Sequence, residues 1–454
     1  MNTPIVDFVR DYAASGALRL HMPGHKGVPA LGPEALDITE VPGADVLYHA
    51  EGVIRESERN AAALFGSART LYSAEGSSLC IRAMLFLALQ HARLTGKKPL
   101  IAAGRNAHRV FLSGCALLGL EIAWLYDDEG TPLSCRVAPE ALDALLKAEK
   151  PAAVYLTSPD YLGRRADVPA LAAVCRKHGA LLLVDNAHGA YLKFLEPSLH
   201  PLDLGADLCC DSAHKTLPVL TGGACLHLSK SCPAALPPMA EAAMRLFAST
   251  SPSWLILQSL DLCNRARATD FSARLAERAG EVAALKTALA AEGWELAGDE
   301  PMKLTLCPKR RGYTGTELAA ALEENGVVCE FADPDFCVFM FSPANTAAEM
   351  DTLRRALLVL PAKEPIVAAP PALGRPERVL PPRAAMLAPF ETLPREQALG
   401  RVLAAPNVSC PPAVPILVCG ERIDEKALAL FRYYGPEALD VVRPAPDGQE
   451  DADV

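Results

Sequence analysis

The sequence has no Cys-x-x-Cys pair, no apolar run long enough to cross a bilayer, and no excess of positive charge. Its 14 cysteines are scattered over 454 residues. They offer no spaced metal or redox motif and read as reduced, small, buried hydrophobes, Cys209-Cys210 included. No stretch approaches the ~18 apolar residues of a spanning helix, so no membrane partner is expected. Met1 to Leu20 lacks the basic start and apolar centre of a secretory signal, which makes the cytoplasm the expected compartment. A formal net charge of −10 leaves no broad basic face for nucleic acid. Internal repeats are absent too.

What is present is a long alternation of helical and strand-like patterns. Half the residues are hydrophobic, enough for a large core. Apolar runs at Leu100 to Ala103, Glu121 to Tyr126, Ala152 to Leu156, Leu181 to Val184, Leu208 to Cys210 and Gly223 to Leu228 are continuous rather than alternating. Helical patterns such as Ser77 to Leu94, Pro139 to Lys150 and Val168 to His178 stand between some of them. That combination predicts a mostly parallel sheet covered on both faces. The composition changes near residue 265, where a long Ala/Leu/Glu/Arg helix begins. Lys303 to Cys307, Val327 to Phe331 and Phe336 to Phe341 then read as strands of a smaller α+β unit. Pro361 to Pro394 is rich in proline and reads as a linker or extended arm. The expected organisation is an N-terminal segment (1–30), a large α/β domain (31–265), a small α+β domain (266–362), the linker (363–394) and a C-terminal unit (395–454). An acidic tail from Pro444 to Val454 is expected to be disordered.

In an open α/β sheet, ligands sit beyond the carboxyl ends of the strands. The most reactive residue types of this sequence collect there. Leu181-Leu-Leu-Val-Asp185-Asn-Ala-His188 delivers a carboxylate and an imidazole, and Leu208-Cys-Cys-Asp-Ser212-Ala-His214-Lys215 delivers a hydroxyl, an imidazole and an amine. Leu100 to Ala103 leads into Arg105-Asn-Ala-His108. Tyr72-Ser-Ala-Glu75-Gly76-Ser77-Ser78 places hydroxyls at a helix N-terminus, where free N–H groups and the dipole suit a phosphate. Singly, each fits an ordinary cap, turn or structural histidine. Together, a phosphate cradle, an imidazole, a strand-end carboxylate and a strand-end lysine match what pyridoxal phosphate requires.

Longer motifs narrow the reading. They are His21-Met-Pro-Gly-His25-Lys-Gly27, Asp37-Ile-Thr-Glu-Val-Pro-Gly43, Gly104-Arg-Asn-Ala-His108, Thr157-Ser-Pro-Asp-Tyr161, Val184-Asp-Asn-Ala-His-Gly189, Ser212-Ala-His-Lys-Thr-Leu217, Ser249-Thr-Ser-Pro-Ser253, Phe341-Ser-Pro-Ala-Asn-Thr346, Glu391-Thr-Leu-Pro394 and Pro411-Pro-Ala-Val-Pro-Ile416 with Gly420-Glu421. With these, residues 15–435 resemble the ornithine/lysine/arginine decarboxylase family of fold-type-I pyridoxal-phosphate enzymes, in its shorter form. The resemblance implies an aminotransferase-like α/β large domain with a mostly parallel seven-stranded sheet, a small α+β domain and a C-terminal α+β domain. It also implies decarboxylation of arginine, lysine or ornithine to an amine and CO2, by a homodimer or higher homo-oligomer with active sites at the subunit interface.

By the same resemblance Lys215 is the Schiff-base lysine, Asp185 partners the pyridine nitrogen, and His108 stacks on the ring and helps protonate the intermediate. Gly76, Ser77, Ser78, Ser212 and His214 hold the phosphate, His188 lies near the cofactor, and Ser249 or Thr250 reaches the phosphate of the neighbouring subunit. The electron sink alone also serves an aminotransferase or another Cα lyase, and an amine-binding regulator is a third reading. Departures from the family pattern are Glu75, Arg109, Asp160, Ala50, Gly222 and Asn186. Glu75 sets a carboxylate beside the phosphate loop, which is tolerable only if it points away or pairs. His21 and His25 flank a Pro-Gly and share no helical face, so no metal is expected. A basic substrate needs a carboxylate at its distal end, for which Asp333, Asp335, Glu421 and Asp424 are the candidates.

Overall fold

Strand β1 (Arg69–Ser73) opens a seven-stranded sheet completed by β2 (Lys98–Gly104), β3 (Glu121–Leu125), β4 (Pro151–Thr157), β5 (Leu181–Asp185), β6 (Leu208–Asp211) and β7 (Ala224–Leu228). The structure is a computed structural model, and it describes residues 1–127, 130–372, 374–406 and 413–444. Residues 445–454 of the acidic tail and Pro411-Pro412 of the C-terminal motif lie outside the described residues. The strand order is β1-β7-β6-β5-β4-β2-β3.

Strands β2 to β6 pair in parallel. Their continuous apolar runs are explained by burial on two faces at once. Leu181 and Leu183 point into one core with Ile101, Ala153 and Tyr155, whereas Leu182 and Val184 join Val154, Leu142 and Leu171 in the other. Helices Ser77–Thr95 and Arg109–Leu118 supply residues to the first core, and Pro139–Glu149 and Val168–His178 to the second. The sequence reading missed β1. Arg69, Thr70 and Ser73 break its apolar pattern, and it earns its place by pairing at the sheet edge. Strand β7 is antiparallel to both β6 and β1. Two reversals restore the direction, so β1 ends at the same edge as β6 and carries Gly76 and Ser77 to it.

The N-terminal segment begins with helix Pro4–Ala14, whose first amides, of Ile5 and Val6, donate to the Asp261 carboxylate at 3.0 and 3.1 Å. A second, antiparallel sheet of β8 (Glu295–Ala297), β9 (Lys303–Cys307), β10 (Phe331–Ala332) and β11 (Cys337–Met340) has the order β10-β11-β9-β8. Its helices Gly315–Glu323 and Ala347–Leu358 each start with a capping box, Thr314/Glu317 and Thr346/Glu349. The expected strand Val327 to Phe331 shrinks to Phe331–Ala332, because the Val327 amide bonds back to the Leu322 carbonyl and Val328 is 80% exposed. The end of the expected linker is also reassigned. Phe390–Pro394 forms β12 and pairs antiparallel with β13 (Ala438–Val442), and Pro382–Leu387 is a helical turn. Among the described residues no helix is long and apolar enough to cross a membrane.

One buried ion pair ties the C-terminal unit to the large sheet. The Arg105 guanidinium meets the Glu421 carboxylate at 2.9 Å, with both side chains almost fully buried. Glu421 also accepts the Val418 amide, and Arg105 lies over the Trp124 ring. Burial raises the Glu421 pKa, and the Arg105 charge opposes that rise. Removing one partner leaves the other buried and uncompensated. Glu421→Ala is therefore expected to cost about 3–5 kcal/mol, read as a lower midpoint in denaturant unfolding. A midpoint within error of the parent would show that this pair anchors nothing.

Candidate active site

At the carboxyl edge of the sheet, β4, β5 and β6 bring Thr157, Asp185 and Ser212–Lys215 side by side, since Thr157 pairs with Asp185 and Asp185 with Cys210. The loop after β2 adds His108 from a fourth direction. A small cavity of about 40 Å³ lies among them, lined by Lys215, Asp185, His108, His188, Thr157 and Tyr161 among others. The Thr157 hydroxyl is buried there without a hydrogen-bond partner.

The Asp185 carboxylate is only 3% exposed. It accepts the Tyr155 hydroxyl at 2.9 Å and the Ala187 amide at 3.2 Å, with the Cys210 thiol 3.6 Å away. Tyr155 was not singled out from the sequence, because a tyrosine within an apolar strand reads as core. His108 caps the helix Arg109–Leu118, its Nδ1 accepting the Val110 amide at 3.2 Å. The neutral ring therefore carries its proton on Nε2. Burial lowers the His108 pKa, while the Asp185 charge acts against that shift.

His188 stands between two lysines. Its Nε2 is 2.9 Å from the Lys215 Nζ, and its Nδ1 is 2.8 Å from the Lys303 Nζ. Lys303 is itself buried, paired with Glu300 at 3.1 Å and bonded to the Asp160 carbonyl at 3.3 Å. Burial first, then the charges of Lys215 and Lys303, hold the His188 pKa well below the usual imidazole range. An ammonium only donates, so Nδ1 accepts from Lys303 and the single proton of the neutral ring sits on Nε2. That proton faces Lys215, and the bond between them is satisfied when Lys215 is an unprotonated amine. Lys303 is a second residue the sequence reading missed. It opens an apolar strand in a different sheet, and only the tertiary fold brings it to His188.

The residues expected to cradle a phosphate also converge. Gly76 has φ +71°, a conformation open to glycine, and its amide donates to the Gly222 carbonyl at 2.7 Å. Ser77 begins the 19-residue helix Ser77–Thr95, with Ser78 next to it, and the Ser212 hydroxyl donates to that of Ser77 at 2.7 Å. His214 Nδ1 meets the Gly223 carbonyl at 3.0 Å. Thr250 is exposed, and the amide of its neighbour Ser249 donates to Glu75 of the same chain at 2.8 Å. Glu75 is thus paired.

Other departures have local explanations. The Asp160 carboxylate accepts the Leu162 and Arg164 amides, both at 2.9 Å, and so closes the loop after β4. Gly222 has φ +96°, and a Cβ there would lie 3.1 Å from the Ala74 carbonyl oxygen and the Ile256 side chain. The Asn186 amide donates to Asp211 at 2.7 Å. Asp211 also takes His200 and His227, each at 3.2 Å, in a buried knot one residue before Ser212. His21 bonds Tyr12 and His25 meets Asp37, so the two histidines of the N-terminal motif have different partners.

A doubly covered, mostly parallel sheet with a lysine and a carboxylate at adjacent strand ends defines an α/β protein of fold type I. Residues 3–296 match the model of the Orn/Lys/Arg decarboxylase major domain, and the chain belongs to that family. It is 29% identical over 459 residues to an uncharacterized protein of Bacillus subtilis, YaaO, covering 94% of this chain and 93% of that one. It is 27% identical over 480 residues to an arginine decarboxylase of Halalkalibacterium halodurans, covering 98% and 96%. In structure it is similar to the lysine decarboxylase LdcF of Francisella novicida, with a TM-score of 0.78 at 17% identity over 97% of this chain and 81% of that one. That likeness shows the fold.

Proposed function

We propose that the protein binds pyridoxal phosphate through Lys215 and decarboxylates a basic amino acid, arginine before lysine or ornithine. The observation that carries this reading is one arrangement: Lys215 hydrogen-bonded to His188 in the cavity that Asp185 and His108 also line. Membership of the family and the arginine decarboxylase relative support the same substrate class.

The residues present fit the cofactor. An amine suits its aldehyde, a buried carboxylate its pyridine nitrogen, and a glycine-entered helix start with Ser77, Ser78, Ser212 and His214 its phosphate. The unpartnered Thr157 hydroxyl adds a free polar group in the same cavity. When bound, pyridoxal phosphate supplies an electron sink for the carbanion left at Cα as CO2 departs. Asp185, fixed by Tyr155 and Ala187, would hold a proton on the pyridine nitrogen by its charge. His108 would lie beside the bound ring, and its neutral form carries on Nε2 a proton that it could return to Cα. His188, fixed in one tautomer by Lys303, would orient the Lys215 amine for its attack on the aldehyde. Asp185 and His188 are themselves buried, which would limit the access of bulk water to chemistry beside them.

The active form is read as a cytoplasmic homodimer. Leu18, Leu20 and Leu31 are at least 80% exposed on one N-terminal stretch, an apolar surface of the kind partner subunits cover. Thr250 reaches the neighbouring subunit's phosphate in this reading. The test is the absorbance of protein loaded with pyridoxal phosphate, followed by CO2 and amine detection with arginine, lysine and ornithine in turn. CO2 from one of them is the expected result. A coloured protein that forms a keto acid instead would move the reading to an aminotransferase.

A further inference from the structure

A basic side chain needs an anion at its far end, and the structure separates the four acidic candidates. Glu421 is neutralised by Arg105. Asp335 receives the Lys309 ammonium at 2.5 Å and the Tyr433 and Tyr434 hydroxyls at 2.7 and 3.2 Å. Asp424 caps the helix Glu425–Tyr434, accepting the Ala427 amide at 2.8 Å. Asp333 differs from all three. Its Oδ1 accepts the amides of Asp335 and Phe336, both at 2.7 Å, while Oδ2 is buried with no hydrogen-bond partner. The residue is 7% exposed, so this orphan oxygen is not satisfied by bulk solvent.

We propose that Asp333 receives the distal cation of the substrate, an ammonium or guanidinium, in a cavity that adjoins Lys215. The inference rests on the basic-amino-acid reading above. The cavity is about 780 Å³, within the usual range for small-molecule sites. Leu133 and Val414 line both this cavity and the one around Lys215, so the two spaces share a wall. Among the described lining residues Asp333 is the only charged one, and Phe331, Tyr433 and Tyr434 add aromatic surface. A carboxylate set among aromatic rings is a recognition site for an organic cation. The position of β10 fits this role. The Phe331 ring packs on Tyr161, and Tyr161 on the His188 that holds Lys215. Burial pushes the Asp333 pKa up to about 6, the hydrogen bonds from the Asp335 and Phe336 amides opposing the rise and the Asp335 charge adding to it. An arriving cation would supply the partner that Oδ2 lacks.

Glu330 is the competing carboxylate. It faces Lys215 across a separate cavity of about 370 Å³, but it is exposed and already accepts the Tyr161 hydroxyl at 2.9 Å.

The decisive variant is Asp333→Asn, which keeps the Oδ1 acceptor of the turn and removes the charge. With the holoenzyme, KM for the preferred basic amino acid should rise about 10- to 100-fold while kcat changes little, as expected for loss of a charged hydrogen bond made equally in ground and transition states. Calorimetry with agmatine and cadaverine, the decarboxylated forms of arginine and lysine, should show the same loss without any turnover. Binding of citrulline, the neutral isostere of arginine, should not change. Asp333→Ser, which also retains an acceptor for the turn, serves if the asparagine variant fails to fold. Parent-like KM and amine affinity in the variant would overturn the assignment, as would Glu330→Gln carrying the whole loss. If the parent turns over no basic amino acid but amine binding still needs Asp333, the function reading falls and this site stands.

Discussion

Lys215→Ala, mixed with pyridoxal phosphate, is expected to develop none of the colour of the parent and to lose activity by on the order of 10⁴-fold or more, the scale seen when an essential nucleophile is removed. The argument is geometric. The Lys215 Nζ lies 2.9 Å from the Nε2 of a histidine whose other nitrogen is already taken by Lys303, in the cavity it shares with Asp185. No other lysine lines that cavity among the described residues. Borohydride treatment of the loaded parent should add the mass of the reduced cofactor to the peptide carrying Lys215, and to no peptide of the variant. Mass found on another lysine would transfer the role elsewhere. The phosphate cradle is separate from the amine, so the variant should still bind the cofactor reversibly, measurable by dialysis.

Replacing Asp185 with Asn is expected to lower kcat by about 10³-fold, the scale of losing one preorganised charge in a water-excluded site. The side chain is almost fully buried, and its two oxygens are aimed by Tyr155 and Ala187 rather than by a cation. Its remaining negative charge is thus available to a protonated ring nitrogen. Asn preserves the shape and one acceptor but cannot stabilise that proton, so cofactor should remain bound while the rate collapses. The absorbance of the loaded variant separates the two effects. Normal turnover with cofactor in place would falsify the electron-sink role of this residue.

The central strands and their contents were legible because a strand buried on two faces has to be apolar throughout, and the break in that pattern marks its carboxyl end. Asp185, Ser212 and Lys215 sit just where such breaks occur. Strand β1 escaped notice because an edge strand is held by β7 alone and need not be apolar. Phe390–Pro394 does not stand out from the proline-rich linker in sequence, because its partner, β13, lies more than forty residues later and no local pattern announces a distant partner. Lys303 and Tyr155 were missed for a related reason, since their chemistry arises from contacts with residues of other strands.

The sequence by itself determined the central strands of the sheet, their reactive edge and the residue types that would meet a pyridine, an aldehyde and a phosphate. These follow from local rules: apolar runs, helix starts, and chemistry that collects where strands end. The tertiary structure decided which charges are already spent. Asp335, Glu421 and Asp424 read alike with Asp333 along the chain, yet the first two meet a cation and the third caps a helix, whereas Asp333 keeps one buried oxygen without a hydrogen-bond partner. Neutralisation is a property of neighbours in space, and spacing along a chain does not encode it.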